Sequence, residues 1–150
     1  MEDKPESKAA AAVSVKPNML RLADKEGRSG VLLGTHCKRC GARAAGSNRH
    51  CRNCASSDTQ TIELSSRGVL VNYTVVHRAA SSWGGQVPYI LGEVELPERV
   101  VVTSEVVDAR PNEIHEGMQM ELTTRVGGRT ENGEPIVVYK WVPSGAKHEK

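Results

Sequence analysis

The chain has no phenylalanine, and tyrosine and tryptophan together supply only Tyr73, Trp83, Tyr89, Tyr139 and Trp141. Single-stranded nucleic acid binders stack bases on aromatic platforms along a basic groove, so this scarcity argues against that class. No run approaches the roughly 20 apolar residues that cross a bilayer. The opening "MEDKPESKAAAAV" is acidic at its start and too short in its apolar part for a signal peptide. The expectation is a soluble cytoplasmic protein without membrane contact. No serine sits in a Gly-x-Ser-x-Gly elbow. Gly84-Gly85 and Gly127-Gly128 neither open a helix nor carry the Lys-Ser/Thr of a phosphate loop. Cysteine is absent outside residues 37–54, and acidic residues are absent between Thr35 and Ser57.

What is present begins in that same stretch. "HCKRCGARAAGSNRHCRNC", residues 36–54, holds two Cys-x-x-Cys pairs, Cys37 with Cys40 and Cys51 with Cys54, separated by ten residues. Each pair offers two sulfurs from one tight knuckle, and two knuckles complete a tetrahedral zinc shell. Gly41, directly after Cys40, suits the turn that a knuckle makes. Without an export signal the four cysteines are expected as thiols able to hold metal, not as disulfides. A thioredoxin-like redox pair would need a βαβ pattern, which is missing. An iron–sulfur centre also takes four thiolates, but no further cofactor signal accompanies these. His36 and His50 each precede a cysteine, and with four sulfurs available neither is needed as a ligand.

Ligand count decides what such a metal could do. A catalytic zinc keeps one position open, whereas four cysteines close the shell, so one structural zinc per chain is expected. Once Cys37, Cys40, Cys51 and Cys54 hold metal, no cysteine of the 150 residues is left as a nucleophile. The remaining histidines, His77, His115 and His148, are scattered, and no catalytic residue is assigned. His77 ends the strand-like "VNYTVVH", where a structural role is the plainer reading.

Five basic residues, Lys38, Arg39, Arg43, Arg49 and Arg52, surround the cysteines. With four thiolates and a divalent cation included, the knob carries a net charge of about +3 on a mildly acidic body. Such a knob is either a solvated loop or a contact for an acidic partner surface or an anionic ligand.

The rest of the chain sorts by composition. Residues 1–18 are poor in large apolar side chains and read as a disordered arm. In residues 19–34, Met19, Leu20, Leu22 and Ala23 before Gly27 suggest a short helical segment. Residues 35–60 form the zinc ribbon. From 61 to 143, "TIEL", "GVLVNYTVVHRA", "VPYILGEVEL", "RVVVTSEVV", "MQMELTTRV" and "PIVVYKWV" are short β-rich runs separated by turn residues. The spacing predicts a mainly β chain with a five- to six-stranded OB-fold barrel, and a C-terminal tail at 144–150. Asn132-Gly133 marks a hairpin, expected as a type I′ turn.

The ribbon, followed by "LSSRGVLVNYTVVHRA", "PYILGEVEL" and "GMQMEL", resembles a family of small bacterial and archaeal zinc-ribbon/OB-fold proteins. That family was long catalogued as a domain of unknown function and is encoded beside thiolases and other acyl-CoA enzymes. The resemblance covers about residues 19–142. It departs from many members between the cysteine pairs, where "ARAAGSNRH" replaces a Pro-Pro-Arg stretch, and at Arg52, where a proline is common. It implies a rubredoxin-like ribbon and a non-catalytic subunit of a thiolase-type complex, two copies of each chain, with the CoA thioester held mainly by the catalytic partner. Within the family the resemblance is greatest to subunits of aromatic hydrocarbon catabolism that serve benzoylsuccinyl-CoA cleavage in anaerobic toluene breakdown, while partners of steroid side-chain thiolases or hydratases and of acetoacetyl-CoA and hydroxymethylglutaryl-CoA synthesis share the same architecture. Lys38, Arg39, Arg43, Arg49, Arg52, His77 and Trp83 are the candidate partner or CoA contacts. The alternative is a nucleic-acid-binding zinc-ribbon/OB module.

Overall fold

Val, Ile and Thr crowd their own backbone at Cβ and pack well on a pleated surface, and the β-rich runs of the sequence all become strands. The computed structural model describes residues 11–145. Its strands are β1 (Val13–Ser14), β2 (Leu20–Leu22), β3 (Gly30–Cys37), β4 (Arg43–Ala45), β5 (Thr59–Glu63), β6 (Arg67–Val76), β7 (Tyr89–Glu95), β8 (Val101–Val106), β9 (Gln119–Arg129) and β10 (Pro135–Pro143). The only helical element among the described residues is a 3-10 turn at Pro111–Glu113.

Strands β6 to β10 close into a five-stranded barrel. Hydrogen bonding runs β9-β6-β7-β8-β10 and returns through β10 to β9. All ladders in this circuit are antiparallel except β8 with β10. Strand β6 serves two partners by bending. Arg67–Val69 pair with β9, and after an irregularity between Leu70 and Asn72 the strand continues along β7. A bulge sharpens local twist and lets a strand turn a barrel corner. Gly68 permits that corner, since a Cβ there would lie 2.5 Å from the Glu95 carbonyl oxygen.

The barrel is least zipped between β8 and β10, which share one ladder pair, Trp141 with Val106. Side chains complete this seam. Ser104 Oγ donates to the Tyr139 carbonyl at 2.7 Å, and buried Trp141 Nε1 donates to the Val102 carbonyl at 3.2 Å. Lys140 and Glu105 form an ion pair across it.

Alternation on β7 sends Ile90, Val94 and then Leu96 inward, where they meet Leu70, Val102, Val106, Met120, Val137 and Trp141. The same core takes Leu20, Leu32 and Leu64 from outside the barrel. The base of the ribbon and the barrel therefore share one apolar core, which fixes where the cysteine knob projects.

Three expectations are corrected. Residues 19–34 do not form a helical segment. Leu20–Leu22 is a strand paired with Gly30–Leu32, and β3 runs across the expected boundary at residue 35 as far as Cys37. As a strand, Leu20 and Leu22 share a face, and Leu20 is fully buried. Gly27, with φ +72°, belongs to a hairpin turn in which Arg28 N donates to Asp24 Oδ1 at 2.9 Å. Second, the described part of the 1–18 arm is ordered. β1 runs parallel to β10, pairing Val13 with Ile136 and Ser14 with Val137. Residues 1–10 of the arm, and 146–150 of the tail, lie outside the described residues. Third, the hairpin at Asn132-Gly133 forms, but only Gly133 has positive φ. Gly133 N donates to the Thr130 carbonyl, and Thr130 N to the Glu134 carbonyl, both at 2.9 Å. This is a longer loop closed by a glycine bulge, the usual alternative to a two-residue type I′ turn.

Candidate metal centre

Strand β3 ends on Cys37, so the first knuckle grows out of the central strand of the ribbon. β3 is held by β2 and β4 on successive parts of its length and by β5 along Leu33–Cys37. In the first knuckle Gly41 N donates to the Cys37 carbonyl and Cys37 N to the Ala42 carbonyl, both at 2.9 Å. The second repeats the pattern: Ala55 N donates to the Cys51 carbonyl and Cys51 N to the Ser56 carbonyl, again at 2.9 Å. The residue after the second cysteine has positive φ in both, +79° at Gly41 and +62° at Ala55. Glycine takes this conformation freely, whereas alanine is strained by its Cβ.

The segment joining the knuckles is tied to the ribbon base. Buried Thr35 Oγ1 donates to the Gly46 carbonyl at 2.6 Å and accepts from Asn48 N at 2.8 Å. Thr59 Oγ1 donates to the Asn48 and Arg49 carbonyls at 3.1 Å. These bonds bring the second knuckle over the first.

The four Sγ atoms lie within 4.8 Å of one another. Cys37 to Cys54 is 3.7 Å and Cys40 to Cys51 is 3.6 Å. A tetrahedron with zinc–sulfur bonds of about 2.3 Å has edges of about 3.8 Å, whereas a disulfide would need about 2.05 Å. The set is sized for a metal ion, and its donor chemistry fits a closed four-sulfur shell. Neither His36, half-buried on β3, nor exposed His50 belongs to it.

Hydrogen bonds already favour charge at Cys40. The Ala42 backbone N–H, with the Asn53 side chain, lowers the Cys40 thiol to about 6. At Cys54 the Ser56 backbone N–H pulls the other way, but burial and the neighbouring sulfurs hold the thiol up, at about 11. Asn53 also donates its backbone N–H to Cys51 Sγ at 3.3 Å. A divalent cation would take the place of the remaining protons and neutralise the crowded sulfurs.

Lys38, Arg39, Arg43, Arg49 and Arg52 are all exposed around the knuckles. Burial works against the Glu98 carboxylate, but hydrogen bonds from Ser65 Oγ at 2.7 Å and Ser65 N at 2.8 Å hold its carboxyl below the usual range, with a smaller contribution from Arg43. His77 and Trp83 are elsewhere. Both belong to the β6–β7 connection on the barrel, where His77 is exposed and Trp83 stacks on Tyr89 at 4.2 Å. Trp83 borders a cleft of about 550 Å³ whose floor includes Leu91, Val138 and the Glu105–Lys140 pair. Sequence reasoning missed Thr35, Asn53 and Ala55. Only the matched offset of Gly41 and Ala55 from their cysteine pairs could have signalled one of them.

Fold and site together define a four-cysteine ribbon carried on an OB barrel. The family model described as the C-terminal OB-fold domain of ChsH2 matches residues 61–125. A DUF35 domain-containing scaffold protein of Methanocaldococcus jannaschii is 34% identical over 116 residues, covering 75% of this chain and 81% of the relative. The benzoylsuccinyl-CoA thiolase subunit BbsA of Thauera aromatica is 28% identical over 125 residues, covering 83% and 84%. Among solved structures, one described as an Ltp2-ChsH2(DUF35) aldolase superposes with a TM-score of 0.61 at 23% identity, covering 76% of this chain and 85% of the other. That last likeness speaks to the fold. The chain belongs to the DUF35 family.

Proposed function

We propose that this chain is the non-catalytic, zinc-binding subunit of a thiolase-type acyl-CoA complex, required for assembly and activity of a thiolase-like catalytic subunit. The carrying observation is that the cysteines gathered at the knob are all the cysteines of the chain. A zinc held by Cys37, Cys40, Cys51 and Cys54 would find its shell closed and would serve to crosslink the two knuckles. The nucleophilic cysteine for CoA-dependent cleavage of a β-ketoacyl-CoA then has to come from a partner, which also holds most of the CoA thioester. The resemblance to a thiolase subunit over most of both chains supports this reading and favours benzoylsuccinyl-CoA as the substrate. The complex would hold two copies of each chain in the cytoplasm. The ribbon and its N-terminal hairpin would supply much of the contact, with Lys38, Arg39, Arg43, Arg49 and Arg52 at the knob and His77 and Trp83 on the barrel.

The test is metal analysis joined to binding. Purified chain is expected to hold one zinc, and Cys51→Ser to lose both zinc and the thiolase-like subunit. A metal-free, folded chain that binds its partner fully would sink the zinc assignment. The nucleic-acid reading has one structural argument, because Trp83 and Tyr139 line the same cleft and Tyr89 stacks on Trp83. Against it, the cleft's Lys140 is already paired with Glu105. Filter binding across salt separates the two, since phosphate contacts impose a steep salt dependence.

A further inference from the structure

A small notch opens between the two knuckles, with a volume of about 70 Å³. That is room for roughly two or three water-sized groups, and so for a short aliphatic side chain. Ala42 and Ala44 contribute to a wall that is mostly apolar, while Arg43, His50 and Arg52 border it. Cys37 and Cys51, both buried, also line it.

The cations around this notch differ from many on the body. Arg21, Arg28, Arg67, Arg99, Arg125 and Lys140 each have a carboxylate within 3.7 Å. Among the described residues Lys38, Arg39, Arg43, Arg49 and Arg52 form no such pair. Net positive charge that is not balanced within its own unit raises the local potential and steers oppositely charged surfaces.

We infer that the notch is a socket for an acidic segment of the thiolase-like subunit, which seats a short apolar side chain inside and sets carboxylates against the basic rim. This rests on the partner-binding function proposed above and adds the partner's chemistry. A phosphate fits the notch poorly. Its wall is mostly apolar, and the thiolates of Cys37 and Cys51 that line it would, in a zinc-bound four-sulfur shell, keep net negative charge. Carboxylates at the outer rim meet Arg43 and Arg52, and an apolar group gains from the wall as an anion would not.

The experiment uses zinc-loaded full chain and the thiolase-like subunit from the same genome, with association and dissociation followed at low and high salt. Reversing the rim charges in Arg43→Glu/Arg52→Glu is expected to slow association about tenfold or more at low salt, an effect that shrinks at high salt, while dissociation changes little. Filling the notch with Ala42→Leu is expected to speed dissociation about tenfold with association nearly unchanged. Zinc content of one per chain certifies each variant, and Arg43→Gln/Arg52→Gln replaces the reversal if that variant loses metal. Wild-type association rates in the rim variant at both salts would overturn the inference and leave the proposed function standing. Unaltered dissociation in Ala42→Leu would likewise remove the socket. If wild-type chain binds no thiolase-like subunit, the proposed function falls, and the inference with it.

Discussion

Replacing Ala55 by glycine should tighten the metal site without touching a ligand. Ala55 occupies, in the second knuckle, the place that Gly41 fills in the first, and both are in the left-handed region. A Cβ in that region costs about 1–2 kcal/mol. Glycine removes this cost but gives the unfolded chain more freedom to lose, worth about 0.4–1 kcal/mol. The net gain is then about 0.5–1 kcal/mol. Because knuckle formation and metal binding are one event, that energy converts to about two- to fivefold tighter zinc binding. Gly41→Ala runs the other way by a similar factor. A Cβ at Gly41 meets nothing within 4 Å, so backbone strain acts there without a clash. Competition with a chromophoric chelator at pH 7 measures both variants. Looser zinc in Ala55→Gly, or no change in Gly41→Ala, would refute the equivalence of the two knuckles.

Leu20→Ala should cost about 2–5 kcal/mol of whole-chain stability in chemical denaturation, because Leu20 is fully buried in the core shared with the barrel; a loss below about 1 kcal/mol would separate the N-terminal hairpin from that core. At the β8–β10 seam, Ser104→Ala and Trp141→Phe each remove a donor to a backbone carbonyl, and losses of about 0.5–3 kcal/mol are expected where the carbonyl is left unpaired. Zinc affinity should fall with acidification, since protons and metal compete for the same sulfurs. At pH 7 Cys40, at about 6, is already ionised while Cys54, at about 11, gives up its proton to the metal. Below about pH 6 a further proton must leave, and the decline of log affinity should steepen by about one unit per pH unit. Calorimetry in buffers of different ionisation enthalpy counts these protons, and a pH-independent affinity would contradict the assignment.

The barrel was legible because its runs of Val, Ile, Thr and Tyr are bounded by residues that break strands. Gly117 and Gly133 stand in the positive φ that turns require, and β6 to β10 fall on the runs read from the sequence. The four sulfurs were equally plain, since paired Cys-x-x-Cys spacing has few other uses. Residues 19–34 were misread because Met19, Leu20, Leu22 and Ala23 satisfy a helical stripe and a two-residue alternation alike over so short a span. What decided between them was distant: the edge of β3 and the core beneath Leu20. The pairing of β1 with β10 is likewise tertiary and leaves no local mark. Thr35 and Asn53 are ordinary polar residues until the fold sets them beside Asn48 and the Cys40 sulfur.

Thioester cleavage followed with the zinc-loaded chain alone, the thiolase-like subunit alone and the two together, on a β-ketoacyl-CoA with free CoA, decides whether this is an assisting subunit. The closed four-sulfur shell predicts no turnover by the chain alone, and turnover by the catalytic subunit that depends on its addition. Cleavage by the isolated chain at the rate of the pair, or full activity of the catalytic subunit without it, would contradict that conclusion.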